Sequence, residues 1–134
     1  MTPFKLKIVT PDGLIFDGEA EELIVRTTSG DVAILARHIN YVAPLGMGRA
    51  VVVSGGSRRT AACIGGMLSV VDGEVTLVPT TFEWADQIDV ERAEASYQRA
   101  DKILNDQTST HTDLKLAEAR LHRALVRKSV ASSK

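Results

Sequence analysis

Cysteine is almost absent from this chain: Cys63 stands alone among 134 residues. A single thiol excludes an internal disulfide and any site built from several thiolates, and the apolar neighbours Ala61, Ala62 and Ile64 mark it as buried and inert. Histidine is nearly as scarce. His38, His111 and His122 fall on three different predicted elements, with no carboxylates at metal-ligand spacing, so no metal site is expected from protein side chains. No apolar run approaches the ~20 residues of a membrane-spanning helix. The start Met1-Thr2-Pro3-Phe4-Lys5 lacks the apolar stretch of a signal peptide, so the expectation is a cytoplasmic chain without direct membrane insertion. Net charge is also nearly missing: 16 basic residues against 17 acidic ones give −1, and aromatic residues make up only 4%. Neither bulk attraction to nucleic acid nor base stacking is favoured. No phosphate-cradling G-x-x-x-x-G-K-S/T loop occurs, since Gly55-Gly56 and Gly65-Gly66 lack the lysine and the following helix. No serine stands in a G-x-S-x-G elbow. No catalytic residues are visible, and an autonomous enzyme is not expected.

Glycine too disappears, but only beyond Gly73, and that absence divides the chain. Before it, short apolar runs of period two alternate with turn residues, as in a sandwich or barrel of short strands. Phe4, Leu6 and Ile8 alternate with Lys5 and Lys7. Breaks are predicted at Pro11-Asp12-Gly13, at Asp17-Gly18 and at Ser29-Gly30-Asp31. Two hairpins stand out, one turning at Ser54-Gly55-Gly56-Ser57 and one at Asp72-Gly73, the latter between Met67 to Val71 and Val75 to Val78. After Pro79 the composition shifts to Ala, Glu, Gln, Arg and Leu, which favour helices. Asp86 is placed to cap a helix in which Asp89 is the third position, with Ala93, Tyr97, Ala100, Ile103 and Leu104 on one stripe to about Asn105. A polar loop from Asp106 to Thr112 precedes a second stripe of Leu114, Ala117, Leu121, Ala124 and Leu125. The reading is α+β: a β-sandwich domain over residues 1–85 and an antiparallel two-helix hairpin over 86–134. Because the helical stripes are rich in alanine, they bury little area, and the hairpin is expected to hold only weakly.

The charged residues of the second part are unevenly placed. From Leu114 onward, Lys115, Arg120, Arg123, Arg127, Lys128 and Lys134 face Glu118 alone, a net +5. Arg92 and Arg99 differ by only about 20° on a helical wheel and flank the first stripe. Arg123 and Arg127 are an i, i+4 pair, so a closed hairpin brings four guanidinium groups together, with Asp89 and Glu83 as the neighbouring acids. Such a cluster suits polyphosphate. Spacing alone favours the plainer reading, in which Asp89 stabilises a helix start while the arginines remain solvated.

Several stretches together resemble the epsilon subunit of bacterial F-type ATP synthases, across essentially the whole chain. They are Thr28-Ser29-Gly30-Asp31-Val32-Ala33-Ile34-Leu35-Ala36-Arg37-His38, Gly65-Gly66-Met67-Leu68-Ser69-Val70, and Val75-Thr76-Leu77-Val78 leading to Trp84-Ala85-Asp86-Gln87-Ile88-Asp89. The resemblance implies a ten-stranded flattened barrel or sandwich followed by the helical hairpin. It also implies a non-catalytic rotor subunit bound to the gamma subunit and the c-ring, at the cytoplasmic face of the cell membrane. The hairpin is then a movable element: contracted, it permits ATP hydrolysis, and extended, it inhibits by meeting acidic parts of the β (and α) subunits. In bacilli-like members ATP, with or without Mg²⁺, holds the contracted form through an I/L-D-x-x-R-A motif, matched here by Ile88, Asp89, Arg92 and Ala93. Glu83, Arg99, Arg123 and Arg127 match the remaining acidic and basic positions. The interhelical loop is about one residue longer than the family pattern, and Arg120 and His122 crowd the last pair. Asp31 and His38 are implied as rotor contacts, against a plain reading as a turn aspartate and a loop histidine. A coupling and inhibitory module that does not sense ATP stays open beside the ATP-responsive one.

Overall fold

The computed structural model describes residues 2–132; Met1, Ser133 and Lys134, the last of them part of the basic tail, lie outside the described residues. The chain divides into two compact units, Met1–Trp84 and Ala85–Lys134. The first is all β: β1 (Phe4–Thr10), β2 (Gly13–Ala20), β3 (Glu22–Thr27), β4 (Gly30–Ile34), β5 (Tyr41–Pro44), β6 (Met47–Ser54), β7 (Ser57–Val71) and β8 (Glu74–Trp84). They form one sheet in the order β2-β1-β8-β7-β6-β3-β4, with β5 pairing to β7 off that path. The sheet folds over on itself as a sandwich without closing. All pairings are antiparallel except β1 with β8, which run parallel over Lys5–Ile8 and Glu74–Leu77.

Eight strands stand where ten were expected, and part of the difference is that β7 does the work of two. Its first half pairs with β6 as far as Ile64, opposite Met47, and its second half pairs with β5 from Met67, opposite Pro44. Between them Gly65 and Gly66 take φ of +67° and +102°. The change of partner is what folds the sheet into two layers. Gly66 is required twice over: the backbone is left-handed, and a Cβ there would lie 2.0 Å from the Val78 carbonyl oxygen. Both predicted hairpins form, with positive φ at Gly55 and Gly56 and at Asp72 and Gly73, as two-residue turns between right-twisted strands demand. Asp17-Gly18 is no break, since β2 runs through it, paired to Lys7 and Leu6 of β1. The Ser29-Gly30-Asp31 turn is likewise shorter than predicted, because Gly30 and Asp31 already belong to β4.

The core follows the alternation of the strands. Phe4, Leu6 and Ile8 are buried while Lys5 and Lys7 are exposed, and the same side receives Leu23, Val25, Val52, Leu68, Val70, Leu77 and the edge-to-face pair Phe82 and Trp84. Cys63 joins this core, and burial pushes its thiol up to about 12, consistent with an inert side chain.

The second unit opens with a 3-10 turn, Ala85–Gln87, then α1 (Val90–Leu104) and α2 (His111–Ser132). Asp86 sits in the turn and does not cap the helix. Asp89 does, with extended backbone (φ −79°, ψ 98°) and its carboxylate accepting the Arg92 N–H at 3.0 Å. Helix α2 starts earlier than predicted, at His111, because Thr110 and Asp113 form a reciprocal cap: the Thr110 hydroxyl accepts the Asp113 N–H, and the Asp113 carboxylate accepts the Thr110 N–H. The predicted stripes are largely kept, with Ala93, Ala100, Ala117 and Ala124 buried, but Leu125 is exposed, and Val130 and Ala131 are buried in its stead.

Candidate anion cleft on the helical hairpin

Lys128 fixes the register of the two helices. Its Nζ lies 2.6 Å from the Glu94 carboxylate and 4.4 Å above the centre of the Tyr97 ring, so residue 94 of α1 stands level with residue 128 of α2. Counting along antiparallel helices at the same rise, Arg99 is level with Arg123, Ser96 with about Arg127, and Ile103 with about Arg120. Glu94 also accepts a hydrogen bond from Gln98 at 2.9 Å. The Lys128 hydrogen bond foremost, then that of Gln98, holds the Glu94 carboxyl below its ordinary range.

That register creates a cleft of about 280 Å³ along one side of the hairpin. From α1 it takes Ser96, Arg99 and Ile103, with Ala100 between them, and from α2 it takes Arg120, Arg123 and Arg127. The α2 arginines sit at i, i+3 and i+7, a single helical stripe. No acidic side chain lines the cleft, and Arg99, Arg120 and Arg123 form no ion pair with any described residue. Four guanidinium groups with a serine hydroxyl present only donors and positive charge, apart from that hydroxyl's lone pairs. The chemistry of this set fits a polyphosphate. Its volume lies just below the roughly 300–1,000 Å³ of drug-sized ligand pockets, a size that suits a phosphate chain.

The predicted nucleotide residues therefore divide. Arg99, Arg123 and Arg127 meet in the cleft. Ile88, Asp89, Arg92 and Ala93 gather at the start of α1 and do not line it; Arg92 is on the Ser96 stripe, one turn nearer the helix N-terminus. There Ile88 and Ala93 are buried, while Asp89 and Arg92 are exposed. Glu83 lies on β8 of the other unit, paired to Ala62 in the ladder. Arg120, which the sequence places as a neighbour crowding Arg123 and Arg127, joins the group, as its i, i+3, i+7 spacing to them dictates.

The sandwich carries the other two predicted residues. Asp31 is a strand residue of β4 and not a turn aspartate, gripped by Arg26 of β3 through Nε at 2.9 Å and Nη2 at 3.3 Å. His38 donates from Nδ1–H to the Ile39 carbonyl oxygen at 2.8 Å and stands edge-on to Tyr41 with ring centres 5.8 Å apart. Next to it the outer face of β5, β7 and β8 is apolar. The pairings of Pro44 with Met67 and of Met67 with Val78 put these side chains on one face, with Val42 and Val71 beside them, all exposed. Ile39, 76% exposed, adjoins the same strand. An apolar face of this kind marks a contact surface for another macromolecule. Among the described residues no group of three His, Cys, Asp or Glu is arranged to hold a metal ion, and no helix is long and apolar enough to cross a membrane.

Comparison with known proteins matches both units. Residues 3–85 fit the family model of the ATP synthase Delta/Epsilon chain beta-sandwich domain, and residues 86–132 that of the Delta/Epsilon chain long alpha-helix domain. The chain is 46% identical over 135 aligned positions to the ATP synthase epsilon chain of Ruminococcus albus, covering the full length of both. In fold it resembles a chain in the cryo-EM structure of Euglena gracilis mitochondrial ATP synthase containing OSCP, F1 and c-ring (TM-score 0.84, 21% identity, all of this chain and 83% of that one). It also resembles a chain in the central stalk and c-ring of Tetrahymena thermophila mitochondrial ATP synthase (TM-score 0.69, 12% identity, 95% of each).

Proposed function

The chain belongs to the ATP synthase Delta/Epsilon family, in its bacterial epsilon branch of non-catalytic subunits, and from there we propose that it is a central-stalk rotor subunit whose hairpin restrains ATP hydrolysis and responds to ATP. In this reading the sandwich joins the gamma subunit to the c-ring at the cytoplasmic face of the membrane. Its exposed apolar face around Val42, Met67 and Val78 and the neighbouring His38 supply the contacts, with Asp31 at the end of the same unit. The basic side of α2 meets the acidic surface of a β or α subunit when the hairpin extends, a pairing that complementary charge favours.

The observation that carries the ATP response is the arginine cleft. A ligand shifts a two-state element only by its difference in affinity for the two states. A phosphate chain held by Arg99 of α1 together with Arg123 and Arg127 of α2 binds only when the helices lie side by side, so it favours the closed hairpin. Base and ribose then extend beyond Ser96 towards Arg92, Asp89, Ile88 and Ala93. Titration calorimetry of the full chain with ATP, with and without Mg²⁺, tests the reading. Arg99→Ala with Arg123→Ala is expected to weaken ATP binding at least about tenfold, as loss of charge-assisted hydrogen bonds does. Affinity unchanged in that double variant, or no ATP binding by the parent chain, sinks it.

A second reading has an observation of its own. One Asp89 oxygen is already engaged as the helix cap, and Asp89 and Arg92 lie outside the cleft, which suits a coupling and inhibitory module whose motif is a helix start alone. ATP binding unaffected by Asp89→Asn and Arg92→Ala together, with the hairpin position unmoved by millimolar ATP in a distance measurement, would favour it.

A further inference from the structure

Two glycines of the sandwich have no backbone reason to be glycine: neither Gly46 nor Gly48, at the start of β6, takes a positive φ. What they share is a neighbour. A Cβ at Gly48 would lie 2.8 Å from the Arg26 Cβ and 3.4 Å from its Cγ, and one at Gly46 would lie 3.2 Å from the Thr27 carbonyl oxygen and 3.3 Å from the same Cγ. The two positions make a shelf under the stem of Arg26, and the Gly46 N–H ties shelf to strand by donating to the Arg26 carbonyl at 2.9 Å. So seated, the guanidinium meets Asp31, directly opposite in the β3–β4 ladder, with Nε donating to Oδ1 at 2.9 Å and Nη2 to Oδ2 at 3.3 Å. The hairpin tip is braced as well, since the Thr27 hydroxyl donates to the Gly30 carbonyl and accepts the Ser29 N–H.

The two side chains remain 51% and 58% exposed, and an ion pair that open to water adds little stability. The shelf is better explained by what the pair presents outward. Asp31 has both oxygens engaged. Arg26 spends the Nε and Nη2 edge on it, and the end-on edge of Nη1 and Nη2 keeps parallel N–H donors with no partner among the described residues. We propose that Arg26 is the residue of this hairpin that meets a partner, and that the partner supplies a carboxylate to that free edge. Asp31 is then a positioning residue, and not itself the contact that the family resemblance implies. The fork adjoins the exposed apolar face, because the Thr28 N–H donates to the carbonyl of Pro44, the residue paired with Met67. This role rests on the rotor reading of the sandwich.

Binding of the full chain to ATP synthase washed free of this subunit tests it, with the melting temperature of each variant as the structural control. Arg26→Gln is expected to weaken binding about tenfold, the size of one charge-assisted contact, and Arg26→Lys to stay close to it, since lysine keeps the charge and loses the fork. Asp31→Asn, which leaves the guanidinium in place, is expected to cost only about threefold. Exchanging the pair, Arg26→Asp with Asp31→Arg, should keep the melting temperature and still bind as poorly as Arg26→Gln. The gap between parent and Arg26→Gln should narrow from about 0.05 to 0.5 M salt, as a charged acceptor requires. Exchange that restores binding, Asp31→Asn that costs more than Arg26→Gln, or Arg26→Gln within about twofold of the parent overturns the assignment. A gap indifferent to salt overturns the partner carboxylate. Parent protein that does not bind at all overturns the rotor reading itself, a result distinct from the others.

Discussion

The two units bury different side chains, and the difference bears on what holds each of them together. In the sandwich the fully buried residues include many large ones, Leu6, Ile8, Leu23, Ile34, Leu68, Leu77 and several valines, beside Ala20, Ala50, Ala61 and Ala62. In the hairpin they are Ala93, Ala100, Ala117, Ala124 and Ala131, with Val130 the only larger side chain among the buried residues of the two helices. A buried Leu contributes ~2 kcal/mol of transfer free energy, and an Ala well under half of that. The sandwich is therefore held by its core, whereas the hairpin depends more on caps, the Lys128 clasp and whatever binds it. An element with small intrinsic stability is one whose position a ligand can change.

The largest expected effect is on the scaffold. Gly66→Ala adds a left-handed alanine and drives its Cβ into the Val78 carbonyl, 2.0 Å away. The bend of β7 cannot relax without losing its pairing to β8 or to β5, so a cost of about 3–5 kcal/mol is expected. Thermal unfolding followed through the sheet signal should fall by more than about 10 °C. A melting point within error of the parent would show that the sheet does not turn at this glycine, and the contrast between rigid and movable units would lose its anchor.

That same bend shows what sequence reasoning reached and where it stopped. The hairpin turns were legible because Gly55-Gly56 and Asp72-Gly73 must adopt positive φ wherever two strands meet so tightly. The change of partner within β7 was not, since a glycine pair reads alike whether a strand ends or bends. Asp17-Gly18 misled for a related reason: turn residues on an edge strand can stay paired to a neighbour, here Lys7 and Leu6. Around the site, the assembly of Arg99, Arg123 and Arg127 followed from helical spacing and antiparallel geometry. Arg120 matches no position of the family motif, although its spacing from Arg123 and Arg127 carried the same information. The cap was displaced by three residues because Asp86 and Asp89 are equally good caps by type. What decides between them is the 3-10 turn at Ala85–Gln87, set by burial of Ala85 and Ile88.

A middle-sized effect separates the two tasks open to Asp89. Asp89→Ala removes the acceptor for the Arg92 N–H and should destabilise the start of α1 by about 1 kcal/mol, while Asp89→Asn keeps the cap and deletes the charge. Hydrogen exchange at the first turn of α1 is expected to speed up in the alanine variant and stay near the parent rate in the asparagine one. If ATP affinity falls equally in both, the carboxylate charge acts on ligand; if it falls only with alanine, Asp89 serves the site through the helix start. Equal exchange rates in all three proteins would contradict the cap itself.

The smallest effect lies at the clasp, where sign matters more than size. Glu94 is held below its ordinary range chiefly by Lys128, so its folded value is lower than its unfolded one. A depressed carboxyl stabilises the fold above the unfolded value and loses that contribution as pH falls through the folded value. Acidification should therefore loosen the α1–α2 contact only as the pH falls below the ordinary glutamate range and through the lowered folded value, and salt should weaken the same contact. Lys128→Met removes the ion pair and the contact with the Tyr97 ring together, and is expected to flatten this acid dependence while leaving the sandwich transition where it was. Because Glu94 is exposed, the change is modest, best read from amide exchange along Ser96 to Ala100 as a function of pH. An acid response in the Lys128→Met protein as steep as in the parent would place the titrating group elsewhere, and the closed hairpin would then depend on its alanine seam and its ligand alone.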